Sequence, residues 1–167
     1  MGRGRKGSRR QKRIKPVSFE ERRRSGTGYL GSKRLTKRML GMYRPILAAN
    51  YQVTLIVLKK GSPVLAYMDA NGMRAGFSAP QQTIYIRRDA TYFELAHEMK
   101  HAKHWAQVGA QPYQDLSTLE KETYVFQELL REKHNLTSAE LLDAFRYINK
   151  IRADQGMDPL DASVLLP

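Results

Sequence analysis

The sequence predicts an α+β domain, and two observations carry that expectation. One is a β-branched run at residues 52–59 followed by an alternating run at 83–87, both of which read as strands. The other is a series of three Ser/Thr-x-x-Glu capping boxes, Thr91 with Glu94, Ser117 with Glu120 and Thr137 with Glu140, each opening a stretch of helical periodicity. A group of strands followed by a run of helices, rather than strict alternation of the two, is the order of an α+β chain.

The elements follow in turn. Residues 1–28 are rich in Arg, Lys, Gly and Ser with almost no large apolar side chains, so they bury too little surface to offset the cost of ordering and read as a basic flexible tail or linker. The domain is expected over residues 29–153, because 167 residues accommodate one core comfortably and not two. Leu35, Met39, Met42, Tyr43, Ile46 and Leu47 recur at helical spacing, with Pro45 a place for that helix to kink or end. The strand at 52–59 stops at Lys60-Gly61-Ser62-Pro63, and a second strand is expected at 64–68 before a turn marked by Asp69, Asn71 and Gly72. After the strand at 83–87, the first capping box opens a helix that runs to about Gln107 and is stopped by Gly109. The second helix places Leu119, Phe126, Leu129 and Leu130 on one side, and the third places Leu141, Leu142, Phe145, Ile148 and Ile151. Residues 154–167 read as a loose C-terminal tail.

The net charge of +13 suggests a nucleic-acid partner until it is mapped along the chain. Residues 1–38 hold 15 Lys or Arg against Glu20 and Glu21 alone, whereas 14 basic and 14 acidic residues follow, so the folded part is neutral. With no cysteine, any metal must be held by histidine and carboxylate. The apolar runs are far too short to span a bilayer, and no classical signal peptide follows the basic start.

The chemistry sits in the first capped helix, where residues 97–101 read His-Glu-Met-Lys-His. Four residues turn a helix by about 400° and rise about 6 Å, so the imidazoles of His97 and His101 share a face one turn apart and can grip one ion. Glu98, rotated about 100° from His97, lies beside that ion without having to coordinate it and is placed to act as general base toward water. Zn2+ suits imidazole and carboxylate ligands, and the reaction implied is hydrolysis of a polarised carbonyl, most simply a peptide bond. Ordinary helix histidines would give the same spacing, but three of the four histidines in the chain, His97, His101 and His104, fall within eight residues.

Such a site needs a third protein ligand. His104 is on the same side but about 10 Å along the axis from His97, too far for three histidines on a straight helix to meet, and suits packing around the site better. Glu120 is the capping partner of Ser117 and points to the helix start. Glu122, three residues from Leu119 and four from Phe126, lies on the apolar side, where an ionised carboxylate is costly unless paired or metal-bound. Glu122 is therefore the preferred third ligand, with Glu120 and His104 as alternatives. Residues 83–87 are a candidate sheet edge for an extended peptide substrate. The sequence does not choose an oxyanion-stabilising residue among Tyr113, Tyr124 and Tyr147.

The motif helix from Phe93 to His104, together with Ala75-Gly76-Phe77, Thr83-Ile84-Tyr85-Ile86, the segment from Leu116 to Phe126 and Tyr147-Ile148-Asn149-Lys150, resembles the zincin-like metallopeptidase toxin domains at the C-termini of bacterial polymorphic toxins. The segment from Glu122 to Phe126 is also similar to the Glu-bearing helix of ImmA/IrrE-type zinc peptidases, although Thr123-Tyr124 stands where that class has Ala-Asn. The resemblance implies a small, mostly antiparallel sheet packed against the His-Glu-x-x-His helix with further C-terminal helices. It also implies a secreted or delivered effector that cleaves a protein substrate in a target cell, with a cognate immunity protein as second partner. Two other readings compete with it: a regulatory peptidase of the ImmA/IrrE type acting in its own cell, and a protein that contacts nucleic acid non-specifically through residues 1–24.

Overall fold

The computed structural model describes Gly26 and residues 28–167. The tail expected at 1–28 and the nucleic-acid contact expected at 1–24 therefore lie, Gly26 and Gly28 apart, outside the described residues. Helices α1 (Lys37–Tyr51), α2 (Pro63–Ala70), α3 (Tyr92–Val108), α4 (Ala110–Asp115), α5 (Thr118–Arg131) and α6 (Ser138–Asp154) surround strands β1 (Thr54–Val57), β2 (Ala75–Ser78) and β3 (Thr83–Ile86). The strand order is β1-β3-β2, with β1 parallel and β2 antiparallel to β3. The α+β class is as expected, but the sheet is mixed rather than mostly antiparallel.

That difference has a local cause. Residues 64–68, expected as a strand, form α2, because Ser62 in extended geometry and Pro63 at the first helical position start a helix there. A short apolar run without alternation does not distinguish the two states. The crossover through α2 lets β1 and β3 run parallel, and the remaining strand is Ala75–Ser78, whose Gly76 and Ser78 give little strand signal. Likewise α1 continues through Pro45 to Tyr51, since Met39, Met42, Tyr43 and Leu47 bury one face on both sides of the proline. The lost backbone bond is outweighed by that shared core.

Helix α3 starts as its capping box requires, with Glu94 Oε2 accepting from Thr91 N at 2.7 Å and Thr91 Oγ1 at 3.1 Å. It ends at Gly109, whose φ of 91° suits glycine. Between these stops it serves two cores. Leu95 and Ala102 join α1 and the sheet in one cluster with Leu47, Val53, Leu55, Ile84 and Ile86. Phe93 and Ala96 join Val125, Phe126 and Leu129 of α5 and Ala144 and Ile148 of α6 in the other. The stretch expected as a loose end folds back: Leu160, Val164 and Leu165 pack on this second cluster, and Leu160 N donates to Asn149 Oδ1 at 2.8 Å.

Leu95 is fully buried where α3 meets the sheet. Leu95→Ala should lower unfolding free energy by about 2–5 kcal/mol, read from denaturant titration with the secondary structure retained in water. A loss well under 1 kcal/mol would mean that α3 is not anchored there.

Candidate metal centre

With two faces of α3 committed to apolar packing, the third carries His97 and His101, whose ring centroids are 5.0 Å apart. The carboxylate that meets them comes from the second turn of α5. Ser117 and Glu120 cap that helix, Glu120 Oε2 accepting from Ser117 N at 2.7 Å and Oγ at 2.8 Å, and Glu120 stays exposed at the surface. Glu122, one turn before Phe126, is buried and turned inward. Its Oε1 lies 3.1 Å from His101 Nε2 and its Oε2 3.2 Å from His97 Nε2. Among the described residues these three form the group whose donor atoms, all within 4.8 Å of one another, could hold a metal ion.

Of the alternatives for the third position, Glu120 is occupied in its cap and His104 is turned away. The His104 ring stacks on Tyr124 at 3.9 Å and meets the edge of Tyr113 at 5.5 Å. Burial, with the charges of His101 and Lys121, holds its pKa below the usual imidazole value.

The donor set fits a cation. Glu122 Oε2 is buried without a hydrogen bond of good geometry, despite its closeness to His97. Two imidazole nitrogens and a carboxylate converging out of water need positive charge between them, either ring protons or a metal. With protons in that role, burial pulls the His97 pKa down, but its 3.2 Å pairing with Glu122 and the negative charges of Glu98, Glu122 and Asp143 outweigh it and leave the pKa raised. For Glu122, burial pushes upward, but its close pairing with His101 and His97 holds it down at about 2.

Around this core the structure adds residues that spacing alone does not reveal. The Tyr113 hydroxyl, supplied by the short helix α4, lies 3.0 Å from His101 Nδ1 and is the oxygen partner that fixes which ring nitrogen faces Glu122. Tyr147 of α6 sets its ring edge-on to His97 at 5.9 Å, and burial together with the charges of Glu122 and Glu98 pushes its phenol up to about 12. Tyr124 is directed elsewhere, donating to Gln107 at 2.6 Å. Lys100, inside the motif, pairs with Glu132 at 2.7 Å, and Lys103 with Glu128 at 2.5 Å, so two ion pairs tie α3 to α5. A Lys three or six residues after a candidate ligand carries no signal until its partner helix is known.

The group opens into a cavity of about 800 Å³ that also exposes Glu98 and is walled by β2. Residues 83–87, expected as the sheet edge, instead form the central strand β3, paired on both sides, and the edge beside the cavity is β2. Phe77 of that edge stands edge-on to Trp105 and to Tyr113, each at 6.1 Å. At the other end Arg74 bonds Glu94 at 2.5 Å and lies over the Tyr29 ring, while the Tyr29 hydroxyl donates to Asp143 at 2.9 Å.

The sequence model of the family described as metallopeptidase toxin 4 matches residues 15–154. No curated protein and no solved structure matches the chain.

Two outcomes follow from this geometry. In metal-stripped protein the depressed Glu122 stabilises the fold above its unfolded value near 4.5 and loses that contribution as pH falls toward 2. The raised His97 stabilises below 6.5 and loses its contribution as pH rises through the folded value. Denaturant titrations across about pH 3 to 9 should show both limbs flattened in Glu122→Gln, and an unchanged profile would remove the pairing. Separately, Tyr113→Phe should weaken metal affinity by about 10-fold, measured by competition with a chelator, and unaltered affinity would remove Tyr113 from its supporting place.

Proposed function

The chain belongs to the metallopeptidase toxin 4 family, and is thus a metal-dependent peptidase of the toxin class; on that premise we propose that it is a zinc endopeptidase held together at His97, His101 and Glu122. The observation that carries the reading is the convergence of those three donors on one point at the floor of an open cavity, with Glu98 beside them. Imidazole and carboxylate donors without thiolate suit zinc, and three protein ligands leave a position open, as catalytic zinc sites do. When bound there, zinc supplies Lewis-acid polarisation of the scissile carbonyl and makes water acidic enough to attack near neutral pH.

The remaining steps belong to the protein. Glu98, 7% exposed and lining the cavity, takes the proton from the attacking water and passes it to the leaving amine. Tyr113 holds His101 in the tautomer that leaves Nε2 free to coordinate. The substrate lies extended along β2, adding a strand to the free edge, with the Phe77 and Trp105 rings as an apolar wall. The target is a protein of the cell the toxin enters, which requires secretion or delivery, and the producer is protected by a cognate immunity protein. Among the described residues no helix is long and apolar enough to cross a membrane.

Elemental analysis tests the centre: about one zinc per chain in the wild type, lost in His101→Ala and weakened in Glu122→Ala, is the expected result. Glu98→Gln should keep its zinc and lose peptide hydrolysis by at least about 100-fold. Wild-type protein that takes up no zinc even after reloading would overturn the reading, and an active Glu98→Gln would remove Glu98 from its role.

A further inference from the structure

Three tyrosines line the cavity, and their surroundings differ. The Tyr29 hydroxyl donates to Asp143 at 2.9 Å, and that of Tyr113, only 6% exposed, accepts from His101 Nδ1 at 3.0 Å. Tyr147 is 44% exposed, stands edge-on to His97, and shares a small recess with His97 and Glu122, the residue that bridges both histidines. It lines both the open cavity and the small recess beneath His97 and Glu122. Its backbone sits in the middle of α6, between Ala144 and Ile148, which are buried in the second core, so the ring is carried on a rigid element.

Resting on the peptidase reading, we infer that Tyr147 is a further catalytic residue, whose hydroxyl donates a hydrogen bond to the oxyanion that forms when water adds to the scissile carbonyl. Addition converts the planar carbonyl to a tetrahedral centre, placing the electron pair of the C=O π bond on oxygen, and expulsion of the amine returns that pair as the carbonyl re-forms. A donor preorganised at the rim of the ligand group is matched to the charge at its maximum and not to the ground-state carbonyl. Of the three cavity-lining tyrosines only Tyr147 combines exposure to the cavity with proximity to two ligands. Tyr29 donates to the carboxylate of Asp143 instead, and Tyr113, whose oxygen accepts from His101 Nδ1, is buried where Tyr147 is open to the cavity.

The test uses full-length zinc-loaded protein and Tyr147→Phe, which keeps the ring against His97 and removes only the hydroxyl. The expected result is a fall in kcat of about 100-fold on a protein substrate with little change in KM, because the bond is made in the transition state. The readout besides turnover is calorimetric affinity for a phosphinic peptide, a tetrahedral mimic, against that for the parent peptide. The mimic should weaken by at least about 10-fold in Tyr147→Phe and the parent peptide should not. Zinc content and chelator resistance should match the wild type. Full turnover in Tyr147→Phe, or equal loss of affinity for mimic and parent peptide, overturns the inference while leaving the zinc site standing. Loss of zinc in Tyr147→Phe also overturns it, since the hydroxyl would then serve to hold Glu122. A wild type without zinc or hydrolysis would sink the peptidase reading itself, and this one with it.

Discussion

Everything at the candidate centre depends on the distance and register between helices α3 and α5. One helix supplies two imidazoles, the other a carboxylate, and neither can search for the other once folded. The apolar contact of Phe93 and Ala96 with Val125, Phe126 and Leu129 sets the separation. The paired Lys100 with Glu132 and Lys103 with Glu128 set the slide along the axes. Glu128 lies on the same helix as Glu122 and Glu132 caps its end, so both pairs act on the element that carries the carboxylate. Exposed ion pairs contribute little, but Lys100 and Glu128 are buried, and removing either partner would strand a charge.

This arrangement gives each residue of the His-Glu-x-x-His segment a separate task. His97 and His101 face the carboxylate, Glu98 faces the cavity, Met99 packs toward the sheet cluster, and Lys100 reaches the neighbouring helix. The two positions that the motif leaves open are, in this chain, the ones that attach the helix to its surroundings.

The local signals were legible in the sequence and the tertiary ones were not. Three capping boxes located three helix starts because a Ser or Thr and a Glu three residues apart satisfy backbone donors whatever the rest of the fold does. The same local rule identified Glu120 as a cap, and the cost of burying charge singled out Glu122. Residues 64–68 went the other way because a short apolar run is compatible with strand or helix, and Pro63 decided it. The sheet edge at β2 was hidden by a Gly-containing segment with little strand preference. Tyr113 and Tyr147 could be named only as members of a list, since a tyrosine acquires a function through what its hydroxyl reaches, and that is a property of neighbours distant in sequence.

The compactness of the centre along the chain has a kinetic meaning. His97, His101, Tyr113 and Glu122 all belong to α3, α4 and α5, three consecutive helices joined by tight turns at Gly109 and Ser117. Each of these helices closes on hydrogen bonds between residues four apart, which form fast, whereas β1 becomes a strand only when Thr54 to Val57 meet Thr83 to Ile86. If the chain loses its fold, the separate helices that carry the donors are thus the parts able to re-form first, and the slower sheet then has finished helix faces on which to assemble.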